Sequence, residues 1–410
     1  MNGQTNLAGG SRLPPLDLAA VERQIQQTGA YSALEWLLET GLLPYPAYER
    51  WRHGGLPCLE DALQADPVGW MGRLREGEAH ARALGLVQDV QAYHDWRPGY
   101  GDRPLVLSLD ADRRGLLAQR WVRSADLPQL DLFLDNAATG VEHDLHGALA
   151  ARNADDAERF YARLCRMAPS HPGLGDYEVL VLYARHLERL PVVPHGAVAE
   201  ELEGLEQEIA PLARERLRGH ARDYLAPAWR RLAEALSQNR FDPGHPNLHA
   251  SYALVQVPDW EGVTRSVRAV ADHAEQPGLV SRLAMALHHR QEPEAAMLAW
   301  TRCCEKRPET PPADLVPENA LRLHRRALEF EAQDEPLGPV DFPAWLLLRE
   351  PGLLHHLDRV DTPVPEGAGF LAMVELLRSR VRGDDEVAAR KRLQQTSPLL
   401  LRAYLAMRGG

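Results

Sequence analysis

The sequence predicts an all-α chain of short helical hairpins. Apolar residues recur three and four apart in one stretch after another, which is the spacing of a single helical face. Glycine or proline punctuates most of these stretches, and both residues end helices. The third observation is the scarcity of strand signals. Residues 104–109 (PLVLSL) are the one strand-like run, and no second strand stands out to pair with it.

Taken in order, residues 1–15 are rich in Gly, Asn, Ser and Pro and read as a disordered tail. Leu18, Val21 and Ile25 place a helix over 16–27. Leu34, Trp36, Leu37 and Leu38 place a buried one that stops by Gly41 and Pro44. A short helix over 47–53 ends at Gly54 and Gly55. These two helices have the layout of a DNA-binding helix-turn-helix, but AYERWRH carries two arginines and one glutamate, and packing is the expected role. Residues 61–83 and 86–96 read as helices, with Asp66 before Pro67 as a start signal and Trp70 and Leu74 inward. Residues 97–103 (RPGYGDR) read as a boundary loop and 110–122 as helix again. Leu130, Leu132, Phe133 and Leu134 belong to one helix, and 141–152 with 155–167 form a hairpin. The span 196–238 is helical, with breaks expected at Pro211 and Pro227. A hairpin over 248–257 and 260–274 follows, then a helix over 318–332. Residues 335–369 are proline-rich and read as irregular, with the apolar block 342–348 as a cover. Helices over 370–381 and 386–407, capped by Asp384 and Asp385, close the chain.

The hairpin pattern is densest over 278–308. Val280, Leu283, Ala284 and Leu287 share one face, and Ala296, Trp300 and Cys303 share the next, across a turn at 291–293. Small Ala284 and Ala296 let the two backbones approach. Pro308 ends the second helix, since proline lacks the N–H and restricts the residue before it. Val263 stands 33 residues before Ala296. Ala157, Tyr161, Leu164 and Pro169 repeat the intervals of Ala296, Trp300, Cys303 and Pro308. PSHPGL at 169–174 returns as PGHPNL at 243–248. The chain thus resembles a tetratricopeptide-repeat protein, whose helix–turn–helix unit is about 34 residues long. The resemblance covers 247–308 and, in part, 141–190, where Leu145 and Gly147 depart from the pattern; the N-terminal region does not share it. It implies an α-solenoid over 104–333, while the residue patterns place a helical N-terminal region over 16–103 and a C-terminal helical cap over 334–410. It also implies a scaffold or adaptor that binds a protein or peptide on its curved surface.

Composition narrows the partner. The 410 residues are 45% hydrophobic and 25% charged, as in a folded protein, and the formal charge is −12. That balance argues against nucleic acid, which needs a clustered positive face. An RNA-binding repeat would use Arg214, Arg216, Arg218 and Arg230, but Glu215 interrupts them and a solvated face is expected. Lys306 and Lys391 are the only lysines, a bias that a GC-rich coding sequence explains. Cys58, Cys165, Cys303 and Cys304 form no CxxC pair, so reduced thiols and a cytoplasmic location are expected. No signal-peptide core and no membrane-length apolar run occurs. Helical faces could also form a homodimer.

Chemistry-bearing motifs are few. In Glu142-His143-Asp144-Leu145-His146 the two histidines lie three apart on one helical face and could reach one metal ion. This is the basis of an alternative reading, a metal-dependent enzyme. It is not HExxH, and no further ligand is evident, so two solvated histidines are expected. His171 and His245 hold equivalent places in the repeated turn and read as turn-capping residues. His288-His289 and His355-His356 are adjacent and diverge by about 100° on a helix. GxSxG, the P-loop and a dinucleotide fingerprint are absent, and Cys58 reads as a filler. The sequence thus points to no cofactor and no catalytic residue. Trp96 and Trp260, beside loops, are the tryptophans expected to be partly exposed.

Overall fold

A computed structural model describes residues 18–97, 104–123, 134–333, 337–359 and 361–409. The expected tail at 1–15, nearly all of the 97–103 loop and most of the helix expected around 130–134 lie outside the described residues. Helix takes 68% of the described residues and strand 4%, so the all-α class holds. The chain divides into two compact units. One comprises residues up to Pro191 together with Glu203–Pro227, the other Val192–Leu202 and everything from Ala228 onward. Among the described residues no helix is long and apolar enough to cross a membrane.

The first unit begins with α1 (Leu18–Thr28), β1 (Ala30–Ser32), α2 (Ala33–Glu39) and α3 (Tyr45–Arg52). Gly54, at φ 64°, ends α3 in a conformation that favours glycine. Then come α4 (Pro67–Ala83), β2 (Val87–Val90), α5 (Ala111–Leu117) and β3 (Gln119–Val122). Asp66 caps α4 by accepting the Gly69 N–H at 3.0 Å, and Trp70 and Leu74 are buried beneath it. The hairpin α6 (Leu134–Ala150) and α7 (Ala154–Met167) follows, then α8 (Leu174–Arg189). Asn153 caps α7 through the Asp156 N–H at 3.1 Å.

Two expectations, the helix over 86–96 and the end of the helix over 110–122, fail here for one reason. Residues 87–90 and 119–122 are strands, not parts of helices, and with β1 they form an antiparallel sheet of order β1-β3-β2. Val87 and Val90 have helical spacing, but Gly85 at φ 76° ends α4 and the backbone groups that follow are satisfied across the sheet. The 104–109 run is extended without joining that sheet. It straps neighbouring backbone instead: Leu105 N donates to Tyr93 O at 2.9 Å, and Leu59 N donates to Val106 O at 3.1 Å. The Trp51 indole also donates to Val106 O, at 2.9 Å, which fixes α3.

Tyr31 sits on β1, an edge strand of this sheet, fully buried, and its hydroxyl has no hydrogen-bond partner among the described residues. A β-carbon on Gly77 of α4 would collide with it, which is why the helix carries glycine there. An unsatisfied buried hydroxyl costs about 1–3 kcal/mol. Tyr31→Phe is therefore expected to raise stability in urea by about 1 kcal/mol; a loss of stability would show that the hydroxyl has a partner.

The span after α8 is helical but interrupted: α9 (Val198–Gly204), a π-helical turn (Leu205–Ile209), α10 (Ala210–Leu217) and α11 (Ala221–Leu236). The π turn falls just before Pro211, where a break is expected. Pro227, by contrast, lies inside α11 without ending it. A second break falls at Arg218, which has φ 48° and ψ −116°.

The second unit contains two successive hairpins: α12 (Ala250–Gln256) with α13 (Trp260–Arg268), and α14 (Pro277–His289) with α15 (Pro293–Lys306). The α14–α15 turn falls where expected, with Gln291 at φ 63°. Every residue from Ala295 to Cys304 is buried, Arg302 included. Next are α16 (Pro312–Leu315), α17 (Leu321–Glu331) and α18 (Phe342–Arg349). The apolar block 342–348 is thus helical, not irregular, and all seven of its residues are buried. The unit ends with α19 (Ala368–Arg382), α20 (Val387–Thr396) and α21 (Pro398–Gly409). The single helix expected over 386–407 is divided because Pro398 cannot continue α20.

Candidate functional site: a polar cleft in the first unit

Helix α3 supplies one wall of the site. Tyr45, Tyr48 and Arg52 stand three and four apart, so they share a face. That face meets the buried Asp223 of α11. Tyr45 donates its hydroxyl to Asp223 Oδ1 at 2.8 Å and Tyr48 to Oδ2 at 3.2 Å. Burial, reinforced by the Asp223 charge, pushes both phenol pKa values well above their usual range, which keeps both hydroxyls protonated as donors.

Arg52 extends the chain outward. Its Nη1 donates to the Tyr48 hydroxyl at 2.8 Å and its Nε to His94 O at 3.2 Å. The guanidinium lies over Trp96 at 4.3 Å and over Tyr93 at 5.6 Å. Arg152 also lies over Trp96, at 5.0 Å, but it is ion-paired with the buried Glu49. Trp96 is itself buried, against the expectation of partial exposure, so it serves as the platform for these cations.

The opposite corner is built on α6. Tyr177 of α8 joins Glu142 to His146: its hydroxyl bonds the Glu142 carboxylate and lies 2.8 Å from His146 Nε2. Tyr177 has one proton, and Glu142 takes it. The hydroxyl oxygen then accepts from His146 Nε2–H, which leaves Nδ1 as the unprotonated nitrogen. His171 Nδ1 accepts the Gly173 N–H at 3.1 Å, so its Nε2–H faces Glu142 Oε1 at 3.6 Å. Burial lowers the His146 pKa to about 4, against the opposing pull of Glu142, and burial also lowers that of His220. His220 stands between the two α6 histidines, its ring centroid 6.4 Å from that of His143 and 6.5 Å from that of His146.

Between these walls lies a cleft of about 1230 Å³. Arg216 faces it but is neutralised by Asp176, at 2.5 Å. Arg218 faces it too, exposed and without an ion pair among the described residues. Its φ of 48° is one that a side chain beyond glycine rarely adopts, at a cost of about 1–3 kcal/mol. Arg52 likewise has no carboxylate partner among the described residues. Guanidiniums left without carboxylates in a cleft are ready to receive anions.

Of the sequence candidates, Glu142 and His146 come together through Tyr177, while His143 makes no hydrogen bond to either. Among the described residues, no group of three or more His, Cys, Asp or Glu is arranged to hold a metal ion. Cys58 is buried, and its thiol donates to Leu107 O at 3.3 Å. Trp260 lies in the second unit, stacked on His289 at 4.3 Å. No family model, curated protein or solved structure matches this chain. What the cleft does follows from its own groups. Sequence reasoning missed Arg52, Tyr177, His220 and Asp223. The 45/48/52 spacing was the one readable signal among them.

Proposed function

We propose that this chain is a binding protein that takes a carboxylate-bearing segment of a partner protein into the first-unit cleft. The observation that carries this reading is Arg52, a guanidinium oriented by Tyr48, His94 O and Trp96 with no ion-pair partner among the described residues. The cleft is larger than the roughly 300–1,000 Å³ typical of small-molecule pockets, which suits a peptide segment. Arginine over an aromatic ring is also a common binding anchor. The hairpins α6–α7 and α12–α15 are read as tetratricopeptide-like units of an α-solenoid, so that the protein acts as a scaffold. Four free cysteines suit a reducing, cytoplasmic setting.

The test is affinity capture from lysate with the wild-type chain and with Arg52→Ala, each shown to be folded by its melting curve. A partner held by the wild type is expected to fall by about tenfold or more in the variant, a hot-spot magnitude. Undiminished capture would remove the cleft from the account.

A further inference from the structure

We propose that the histidine corner of the cleft is an oxyanion subsite that takes a phosphoryl dianion, with Arg218 as its principal cation. The inference rests on the reading of the cleft as a binding site and names the chemistry of one end of it.

The donors are in place and uncommitted. Among the described residues the ring nitrogens of His143 and His220 have no hydrogen-bond partner, so each ring has an N–H to donate; Nδ1 of His146 is open as well but, being unprotonated, can only accept. All three rings line the cleft. Half-buried polar groups are normally satisfied, so the open N–H of half-buried His220, beside the exposed His143, points to a ligand that completes it.

The charges facing the corner decide its sign. Asp176 is neutralised by Arg216, Asp89 by Arg120 and Glu35 by Arg222, while Glu142 and Asp223 keep their charge but turn their oxygens to the hydroxyls of Tyr177, Tyr45 and Tyr48. The cations Arg52 and Arg218 have no carboxylate partner among the described residues. A metal dication would meet their repulsion, whereas an anion gains from both. Arg218 is held in an unfavourable backbone conformation beside Gly219, a place where glycine would be free of strain, so the side chain is kept for what it does. A tetrahedral phosphoryl group offers three oxygens to a guanidinium and two imidazoles, and a planar carboxylate offers two.

The phosphoryl group belongs either to the partner segment or to a free phosphate compound. Inorganic phosphate is the first probe, titrated into the full chain while imidazole resonances are followed by NMR. The signals of His143, His146 and His220 are expected to move with one saturation curve, with Kd on the order of 0.1–10 mM. Arg218→Ala should weaken binding by about tenfold, Arg218→Lys by less, and Arg265→Ala, on the exposed surface of the second unit, not at all. A phosphoserine peptide binding about tenfold tighter than phosphate assigns the group to a protein segment; equal or weaker binding assigns it to a free compound. No shift at about 20 mM phosphate overturns the subsite, and so does zinc moving the same signals where phosphate does not. If phosphate fails while Arg52→Ala still loses the captured partner, the subsite falls and the cleft reading stands. If phosphate binds and capture is unaffected, the reverse holds.

Discussion

Arg302→Ala is expected to destabilise the second unit by about 3–5 kcal/mol, the loss typical of breaking a buried ion pair. Arg302 is 2% exposed. Its Nη1 donates to Glu305 at 2.6 Å, its Nη2 to Glu275 at 2.6 Å and to Glu366 at 3.0 Å, and its Nε to Ala274 O at 3.3 Å. Glu275 and Glu366 are exposed and would be rehydrated. Glu305 would not: its side chain is 11% exposed, and it also holds the Glu366 and Gly367 N–H groups ahead of α19. Removing the guanidinium leaves that carboxylate buried without its cation. In urea the midpoint should fall with the slope unchanged. Arg302→Met combined with Glu305→Gln should recover much of the loss, because the cost lies in the unpaired charge. A loss under about 1 kcal/mol would mean that the network is solvated, as surface pairs are.

Asp223→Ala should cost the first unit about 2–4 kcal/mol, because two buried tyrosine hydroxyls lose their acceptor together. The Tyr45 and Tyr48 side chains stay buried, so neither hydroxyl regains water. Asp223→Asn keeps one acceptor oxygen and should lose less. The damage should spread to the cleft, since Tyr48 also receives the Arg52 Nη1 hydrogen bond. A melting curve like that of the wild type, with unchanged near-ultraviolet circular dichroism, would contradict the assignment of Asp223 as the organiser of this wall.

What could be read from the sequence was local. The α14–α15 hairpin, its turn at Gln291 and the Asp66 cap all depend on neighbours a few residues apart. The sheet was not legible, because Val87–Val90 become a strand only when Gln119–Val122 lies beside them. Residues 342–348 looked irregular because prolines flank them, yet Pro343 sits in the first turn of α18, where proline is tolerated. Likewise the site was half legible. The spacing of His143 and His146 marked a polar helical face and suggested a metal. Tyr177 and His220, which complete the corner, come from distant segments, and Asp223 turns the α3 tyrosines from packing residues into a wall. None of these pairings leaves a trace in local spacing.

The most direct test of the cleft as the binding site is photo-crosslinking in lysate. One chain would carry the crosslinking residue in place of Phe160, which lines the cleft, and another in place of Leu182, which is 61% exposed on α8 outside it. The account predicts one dominant crosslinked partner from position 160, lost when Arg52 is changed to alanine, and none from position 182. Equal crosslinking from both positions, or a partner at 160 indifferent to Arg52, would contradict it.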